Sequence, residues 1–203
     1  MSVNIAACIL AAGASRRMGS PKAWLDADGQ PFVVRLLESF AAAGVELRFV
    51  VGTVDDVAMR DACAARGARL LVNRTPERGM LSSLHVCLDA IGDSKATAVD
   101  AMFVSPVDCP RVRPETIALL IQAFETTRSP LVVPRFGARR GHPTLFAAAL
   151  FDELRQAPLE VGARAVVRAH AADRLEVPVE DEAVLDDVDT RVDLQKLSPR
   201  AKA

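Results

Sequence analysis

Two arginines and a lysine follow a loop of small residues near the start of the chain. Residues 3–10 are apolar, which predicts a short buried strand, and residues 11–15 are small enough for the backbone to pass close to a ligand. Arg16, Arg17 and Lys22 come next. A strand, a small-residue loop and then cations favour binding of a polyphosphate. A solvated basic turn is the alternative for this segment taken alone.

The spacing of this loop differs from that of the two commonest phosphate-binding loops. A Walker A loop has four residues between its glycines, whereas five residues separate Gly13 from Gly19. Pro21 also precedes Lys22, and proline removes a backbone donor. A dinucleotide-binding loop requires a glycine two residues after Gly13, where Ser15 stands. We therefore predict a nucleotide-wrapping loop of a different kind.

Carboxylates able to bind a hard cation occur in two places. Asp108 lies between two prolines at the end of an apolar run, and such a rigid loop presents its carboxylate as a ligand for Mg²⁺. Residues 186–189 include three acids, of which Asp187 and Asp189 face the same side of an extended segment. A turn-forming role for Asp108 and capping of the last helix by Asp189 or Thr190 are the alternatives.

Two further segments carry polar groups where a featureless loop requires none. Residues 73–84 leave a predicted strand and enter a helix, whose first turn offers N–H groups and hydroxyls to an anion or a nucleobase edge. Ordinary capping of that helix by serine is the alternative. Residues 139–143 place His142 between glycine and proline, and a structural role in the loop is its alternative. The candidate residues of the first segment are Gly79, Ser82 and Ser83.

The composition excludes several classes of function. Half of the 203 residues are hydrophobic and a quarter are charged, and the net charge of −1 gives no general attraction to nucleic acid or an anionic membrane. One Trp, no Tyr and eight Phe provide no base-stacking surface. The four cysteines lack zinc-site spacing. The apolar start precedes its arginines, unlike a secretory signal, and no apolar run is long enough for a membrane helix, so we expect a cytoplasmic protein.

Strand and helix patterns alternate along most of the chain, which predicts an α/β fold with a mostly parallel sheet covered on both faces. A hairpin is predicted within residues 135–146, and residues 198–203 are expected to form a frayed tail. No shift in composition divides the chain, so residues 1–203 are interpreted as one domain. The predicted strands are 3–10, 47–51, 69–72, 101–104, 131–134 and 174–177, and the predicted helices are 32–43, 56–65, 80–91, 114–125, 147–156, 162–170 and 190–197.

The motifs follow the predicted strands. Ligands of open α/β sheets bind beyond the carboxyl ends of the strands, near a topological switch point. Residues 11–22, 73–80 and 105–110 each come directly after a predicted strand. We therefore expect these three loops to form one site.

The segments together resemble the nucleotidyltransferases related to molybdenum-cofactor synthesis. Residues 10–22, L-A-A-G-x-S-x-R-M-G-x-P-K, are similar to the family's signature loop. The later motifs follow in the family's order: N-x₅-G-M-x-x-S-L at 73–84, D-x-P at 108–110, G-H-P-x-L-F at 141–146 and D-V-D-T at 187–190. The resemblance implies a three-layer Rossmann-like nucleotidyltransferase fold. It also implies transfer of a nucleoside monophosphate to the terminal phosphate of molybdopterin, with release of pyrophosphate.

The resemblance implies roles for individual residues. Arg17 and Lys22 would hold the triphosphate and stabilise charge on the leaving pyrophosphate, and Asp108 would act with them as a catalytic residue. Mg²⁺, with Mn²⁺ as an alternative, would bind Asp108 together with Asp187 or Asp189. The nucleotide-binding residues implied are Leu10, Ala11, Ala12, Gly13, Ser15, Asn73, Gly79, Ser82 and Ser83. The acceptor-binding residues implied are Arg139, Arg140 and His142.

The resemblance also bears on the choice of nucleotide. Guanylyl-transferring members show L-A-G-G and an Asp before the lysine, whereas cytidylyl-transferring members show L-A-A-G and Pro-Lys. Ala12 and Pro21 therefore favour CTP as the substrate, with GTP as the alternative. The chain departs from the family pattern at Cys109, where Met is usual, and at residues 191–192, which lack the usual Pro-Glu.

The expected partners are small molecules, namely the NTP and a molybdopterin-type acceptor. A recipient molybdoenzyme or its chaperone is a further expected partner, whereas nucleic acid and membranes are not. Two rival hypotheses stay open. One is nucleotide transfer to a sugar or polyol phosphate, and the other is a nucleotide-binding chaperone without turnover.

Overall fold

The computed structural model describes residues 3–13, 18–53, 56–93 and 98–197. Its strands are β1 (Ile5–Leu10), β2 (Asp26–Ala27), β3 (Gln30–Pro31), β4 (Leu47–Gly52), β5 (Arg69–Val72), β6 (Ala101–Pro106), β7 (Leu131–Phe136), β8 (Arg139–Arg140), β9 (Thr144–Ala147) and β10 (Arg174–Pro178). Its α-helices are α1 (Phe32–Ala42), α2 (Val57–Ala64), α3 (Met80–Gly92), α4 (Pro114–Thr127), α5 (Phe151–Gln156), α6 (Arg164–Ala169) and α7 (Arg191–Leu197). Short 3₁₀ helices lie at Lys22–Trp24, Pro76–Arg78, Ala148–Leu150 and Glu182–Leu185.

A mostly parallel sheet forms the centre of the described structure. Its strand order is β10-β7-β9-β6-β1-β4-β5, with β8 paired to β7. The central strand β1 is buried along its whole length and runs parallel to both neighbours, β4 and β6. β9 lies antiparallel between β6 and β7, and the β7–β8 pair is the hairpin that the sequence predicts.

Alternate residues of β1 belong to two separate parts of the hydrophobic core. The odd-numbered residues pack in a cluster with α1 and α4, whereas the even-numbered residues pack in a cluster with α3 and α5. Successive side chains of a strand point to opposite faces of its sheet, so helices must cover both faces. The predicted three-layer α/β fold is confirmed.

The structure adds elements that the sequence analysis did not predict. β2 and β3 form a small hairpin around Asp28 and Gly29, whose φ angles of 55° and 88° suit a two-residue turn. The Asp-Gly pair was the sequence signal for it. The predicted helix 147–156 begins instead as the 3₁₀ helix Ala148–Leu150. The predicted tail, 198–203, lies outside the described residues, and the interpretation of residues 1–203 as one domain stays a prediction.

None of the helices in the described ranges is long and apolar enough to cross a membrane.

Candidate active site

The carboxyl ends of three adjacent strands lie level with one another. Leu10, the last residue of β1, pairs with Val51 of β4 and with Pro106 of β6. Immediately beyond them, Ala11 N donates to Val51 O at 2.9 Å and Val107 N donates to Leu10 O at 3.1 Å. These backbone hydrogen bonds hold the loop that follows β1 beside the loop that follows β6.

A cleft of about 630 Å³ opens at this edge of the sheet, a volume typical of small-molecule sites. The loops after β1, β4, β5 and β6 contribute to it, together with the first turn of α3. The described residues that line the cleft are Leu10, Ala11, Ala12, Gly13, Lys22, Thr53, Pro76, Glu77, Gly79, Met80, Ser83, Pro106, Val107, Asp108 and Asp189. Three loops that the sequence predicts to converge therefore do so.

Three carboxylates meet at the β6 end of the cleft. Asp108, Asp187 and Asp189 each offer an oxygen, and the three oxygens lie within 4.8 Å of one another. Val188 N donates to Asp108 O at 3.2 Å, which fixes the two segments together although they are far apart in sequence. Carboxylate oxygens at this spacing suit a hard divalent cation such as Mg²⁺ or Mn²⁺. The cluster contains all three acids named as metal ligands from the sequence.

Lys22 lies against the same carboxylates. Its Nζ is 2.9 Å from Asp108 Oδ2 and 2.5 Å from Asp189 Oδ1. Partial burial lowers the pKa of Lys22, but hydrogen bonds to Asp189 and Asp108 outweigh burial and raise it above its ordinary value. The ammonium group is therefore fully charged near pH 7, at the end of the cleft where the acids converge.

Asp187 shows how much negative charge the cluster concentrates. Burial, followed by the charges of Asp108 and Asp189, raises the pKa of Asp187 above its ordinary value. A raised carboxylate pKa means that ionisation is disfavoured at this position. A bound cation would relieve that cost, which makes the cluster electrostatically suited to a metal ion.

A partly buried ion pair supports the second acidic segment. Arg111 Nε and Nη2 donate to the two carboxylate oxygens of Asp186 at 3.0 Å and 2.9 Å. The hydrogen bonds to Asp186 raise the pKa of Arg111. Cys109 Sγ donates to the Asp186 carbonyl at 2.9 Å, and burial raises the pKa of this thiol well above its usual range. Residues next to Asp108 therefore hold the chain immediately before Asp187.

Replacing Arg111 with lysine is expected to weaken Mn²⁺ binding by about tenfold, as is common for groups that orient metal ligands. Lysine keeps the charge but lacks the planar pair of donors that grips Asp186. Mn²⁺ titration followed by electron paramagnetic resonance measures the dissociation constant. Arg168→Lys, on the exposed face of α6, is the matched control. Equal Mn²⁺ affinity in the two variants would contradict a positioning role for Arg111.

Asn73, Ser82 and Ser83 form a hydrogen-bonded group behind the cleft. Asn73 Nδ2 donates to Ser82 Oγ at 2.8 Å and to Ser83 Oγ at 2.9 Å, and Asn73 Oδ1 accepts from Thr75 N at 2.9 Å. Asn73 and Ser82 are buried and are not among the described residues that line the cleft, whereas Ser83 is. The structure thus shows Asn73 and Ser82 bracing the loop before α3, and their predicted contact with a nucleotide stays untested.

Gly79 is the residue at which this loop turns into α3. Its φ of 88° belongs to the left-handed region that favours glycine, and it lies at the cleft surface. The helix N-terminus therefore borders the cleft, where free N–H groups favour an anion or a polar base edge.

The residues predicted to bind the acceptor lie at the same edge of the sheet but farther along it. Arg139 and Arg140 are exposed on β8, and Arg140 Nη1 is 3.4 Å from Glu176 Oε1 of β10. Neither arginine is among the described residues that line the cleft. β7, which carries β8, is separated from β6 by β9, so the sheet order itself displaces the two arginines from the acids.

His142 lies nearer to the acids than the arginines do. Burial lowers its pKa, whereas the charge of Asp108 acts in the opposite direction. Its Nδ1 is buried and has no hydrogen-bond partner among the described residues. The ring is therefore neutral near pH 7. His142 N donates to Val184 O at 2.8 Å, which ties this loop to the segment leading to the acids.

Two predicted residues lie outside the described ranges, and six residues of the cleft were not among the predicted site residues. Arg17 and Ser15 belong to the first group, so their roles stay predictions. The second group is Thr53, Pro76, Glu77, Met80, Pro106 and Val107. Five of these six lie in the loops 73–80 and 105–110, which the sequence predicts to form the site, whereas Thr53 follows β4 without a distinctive pattern.

Comparison with known proteins places this cleft in a family. Residues 7–175 match the family described as MobA-like NTP transferase domain. The molybdenum cofactor guanylyltransferase of Shewanella sp. (strain ANA-3) is 27% identical over 178 residues, covering 87% of this chain and 85% of that protein. The crystal structure of Rv0371c from Mycobacterium tuberculosis H37Rv is similar with a TM-score of 0.80 and 26% identity, covering 97% of this chain and 98% of that one.

A second structure of Rv0371c, in complex with manganese, has a TM-score of 0.73 at 23% identity and covers 96% of this chain and 98% of that one. The family match spans most of the chain and agrees with the ordered motifs and the three-layer fold. The chain therefore belongs to the MobA-like NTP transferase domain family.

Proposed function

We propose that this protein transfers a nucleoside monophosphate from an NTP to the terminal phosphate of a molybdopterin-type acceptor. The observation that carries the proposal is the contact of Lys22 with Asp108 and Asp189 at one end of a nucleotide-sized cleft. A cation beside acids able to bind a metal ion supports transfer between phosphates, which requires neutralisation of charge. The name of the Shewanella relative, a molybdenum cofactor guanylyltransferase, supports the acceptor.

The reaction forms one bond and breaks another at the α-phosphorus of the NTP. An oxygen of the acceptor phosphate bonds to that phosphorus, the bond to the bridging oxygen of the β-phosphate breaks, and pyrophosphate leaves with the electron pair. A phosphate monoester has a second pKa of about 6, so the attacking oxygen is already deprotonated near pH 7. The protein therefore needs to align the reactants and neutralise charge rather than remove a proton.

Asp108, Asp187 and Asp189 would hold Mg²⁺ or Mn²⁺. Their oxygens fit a hard cation, and the manganese complex of Rv0371c supports a divalent ion in this fold. When bound, the ion supplies charge neutralisation at phosphate oxygens. Lys22 would contact the triphosphate at the same end and stabilise charge on the departing pyrophosphate, together with Arg17 as the sequence predicts.

The sequence and the comparison with known proteins favour different nucleobases in the NTP. Ala12 and Pro21 favour CTP through their resemblance to cytidylyltransferases, whereas the relative that covers 87% of the chain is named a guanylyltransferase. The comparison extends over 178 residues, whereas the sequence argument depends on two positions. We therefore place GTP first and keep CTP as the competing substrate.

The purified chain is expected to release pyrophosphate when mixed with Mg²⁺, molybdopterin and the correct NTP. Equimolar GTP and CTP in one reaction, followed by mass analysis of the dinucleotide product, measures the preference, which we expect to favour GTP by at least about tenfold, or 1.4 kcal/mol. Predominant CMP transfer would instead support the interpretation of Ala12 and Pro21.

Two controls separate the rival functions. Replacing molybdopterin with a sugar or polyol phosphate tests the alternative acceptor, and product formed only with that compound would overturn the molybdopterin proposal. NTP binding without pyrophosphate release under every condition would support a nucleotide-binding chaperone. A recipient molybdoenzyme, or its chaperone, stays a predicted partner of the product.

A further inference from the structure

Glu77 is a carboxylate in the cleft to which neither the sequence motifs nor the proposed reaction gives a role. It lies on the short 3₁₀ helix Pro76–Arg78 that follows β5, and it is exposed at the cleft surface. No hydrogen bond or ion pair joins its side chain to another residue of the described ranges. An acceptor without a partner inside a binding cleft is available to a ligand.

The strand order places Glu77 far from the phosphate-binding end. Asp108, which Lys22 contacts, lies beyond β6, and Glu77 lies beyond β5, with β1 and β4 between these two strands. Three strand spacings amount to roughly 14 Å, which is comparable to the length of an extended nucleoside triphosphate. A nucleotide whose phosphates contact Lys22 would therefore extend its base toward Glu77. The opposite orientation would bring the triphosphate against the Glu77 carboxylate and away from Lys22 and the proposed metal ion, which offset the charge of the acids at the other end.

The neighbours of Glu77 suit a flat and largely apolar ring. Met80 lines the cleft with 59% of its surface exposed, so its side chain is accessible to a ligand there. Pro76 lines the cleft beside it. A thioether and a proline ring provide adaptable apolar contacts for the face of a base. The edge of a base in this position then meets the Glu77 carboxylate.

We propose that Glu77 accepts a hydrogen bond from the exocyclic amino group of the nucleobase and so selects nucleotides that carry one. The inference rests on the proposed function for the orientation of the nucleotide. An ionised carboxylate only accepts hydrogen bonds. Guanine offers an N1–H and a 2-amino group, and cytosine offers a 4-amino group. Inosine lacks the 2-amino group of guanosine, and uridine has a carbonyl oxygen in place of the 4-amino group, which would repel the carboxylate.

Equilibrium binding of four nucleotides tests this role without the acceptor. Isothermal titration calorimetry with Mg²⁺ gives dissociation constants for the pairs GTP and ITP, and CTP and UTP. The wild-type chain is expected to bind the preferred amino-bearing nucleotide at least about tenfold more tightly than its partner in the pair, as for a hydrogen bond to a charged group. In Glu77→Ala the ratio is expected to fall to about threefold or less.

The ratio within a pair is the informative quantity, because removing a negative charge strengthens binding of every triphosphate. Glu125→Ala removes an equivalent charge from the exposed face of α4 and is expected to keep the wild-type ratio. Circular dichroism of both variants checks that the fold is retained.

The outcomes distinguish this inference from the proposed function. A wild-type chain that binds nucleotides without discriminating within either pair overturns the role of Glu77 alone, as does an unchanged ratio in Glu77→Ala. A wild-type chain that binds none of the four nucleotides overturns the proposed function and this inference with it.

Discussion

Pyrophosphate release by the Lys22→Ala variant is expected to be about 10²–10³-fold slower than release by the wild-type protein, the usual loss when one group that stabilises transition-state charge is removed. The Lys22 ammonium lies 2.9 Å from Asp108 Oδ2, and its raised pKa keeps it charged across the neutral range. Negative charge develops on the departing pyrophosphate, and the variant lacks this cation to meet it. Single-turnover release of pyrophosphate, with NTP and acceptor both saturating, measures the effect.

Measuring Mn²⁺ binding by Lys22→Ala distinguishes the loss of a catalytic group from disruption of the site. Lys22 shares Asp108 and Asp189 with the proposed metal site, so removing its positive charge leaves the three carboxylates more attractive to a cation. Lys22→Ala should therefore bind Mn²⁺ at least as tightly as the wild type while losing turnover. Lys196→Ala, on the exposed side of α7, serves as the control for removal of a lysine. Turnover near the wild-type rate in Lys22→Ala would exclude the role assigned to this residue.

The convergence of Lys22, Asp108 and Asp189 could be predicted because the fold dictates it. Lys22 and Asp108 lie in segments that the sequence associates with the carboxyl edge of the sheet, and the parallel strands β1 and β6 bring their ends to the same edge. Asp189 was assigned to the site by the family resemblance. Motif order and strand periodicity were sufficient for this part. The choice between Asp187 and Asp189 did not need to be made, since both offer an oxygen to the cluster.

Other features depend on partners that are distant in sequence. Arg111 and Asp186 are 75 residues apart and neither belongs to a motif, so their bidentate contact follows only from the folded chain. Asn73 was identified by its type and position, but its burial and its bonds to two serines depend on how β5 meets α3. Glu77 was missed although its loop was predicted to lie at the site, because nothing in its type or spacing separates it from a solvated surface glutamate.

The predicted acceptor-binding residues show a third reason why the sequence predicts only part of the site. A basic hairpin beside a sheet was inferred from Gly, Arg and Pro residues, and β8 pairs with β7 as expected. The insertion of β9 between β6 and β7 was not predicted, and it sets the distance of that hairpin from the acids. Strand order is determined by long-range pairing, which local patterns do not encode.

Gly141→Ala is expected to destabilise the protein by about 3 kcal/mol, the scale of overpacking combined with loss of a backbone hydrogen bond. A Cβ at this position would overlap with the backbone of Val184, chiefly with its carbonyl oxygen. The neighbouring His142 N donates to that same oxygen at 2.8 Å. The segment of Gly141 and the segment of Val184 must separate to admit a methyl group, because the overlapping atoms of Val184 do not belong to the end of a flexible side chain. Denaturant unfolding measures the loss of free energy.

The same substitution should also weaken Mn²⁺ binding, because Val184 belongs to the 3₁₀ helix Glu182–Leu185 that leads directly into Asp186–Asp189. Gly92→Ala is the control: among the described residues its added Cβ meets the Arg155 side chain alone, at 3.7 Å, and alanine in a helix is favoured over glycine by about 1 kcal/mol. If Gly141→Ala loses both stability and Mn²⁺ affinity while Gly92→Ala retains both, the Gly141–Val184 contact positions the acids. If Gly141→Ala is destabilised but binds Mn²⁺ with wild-type affinity, the contact contributes to folding and not to the position of the acids.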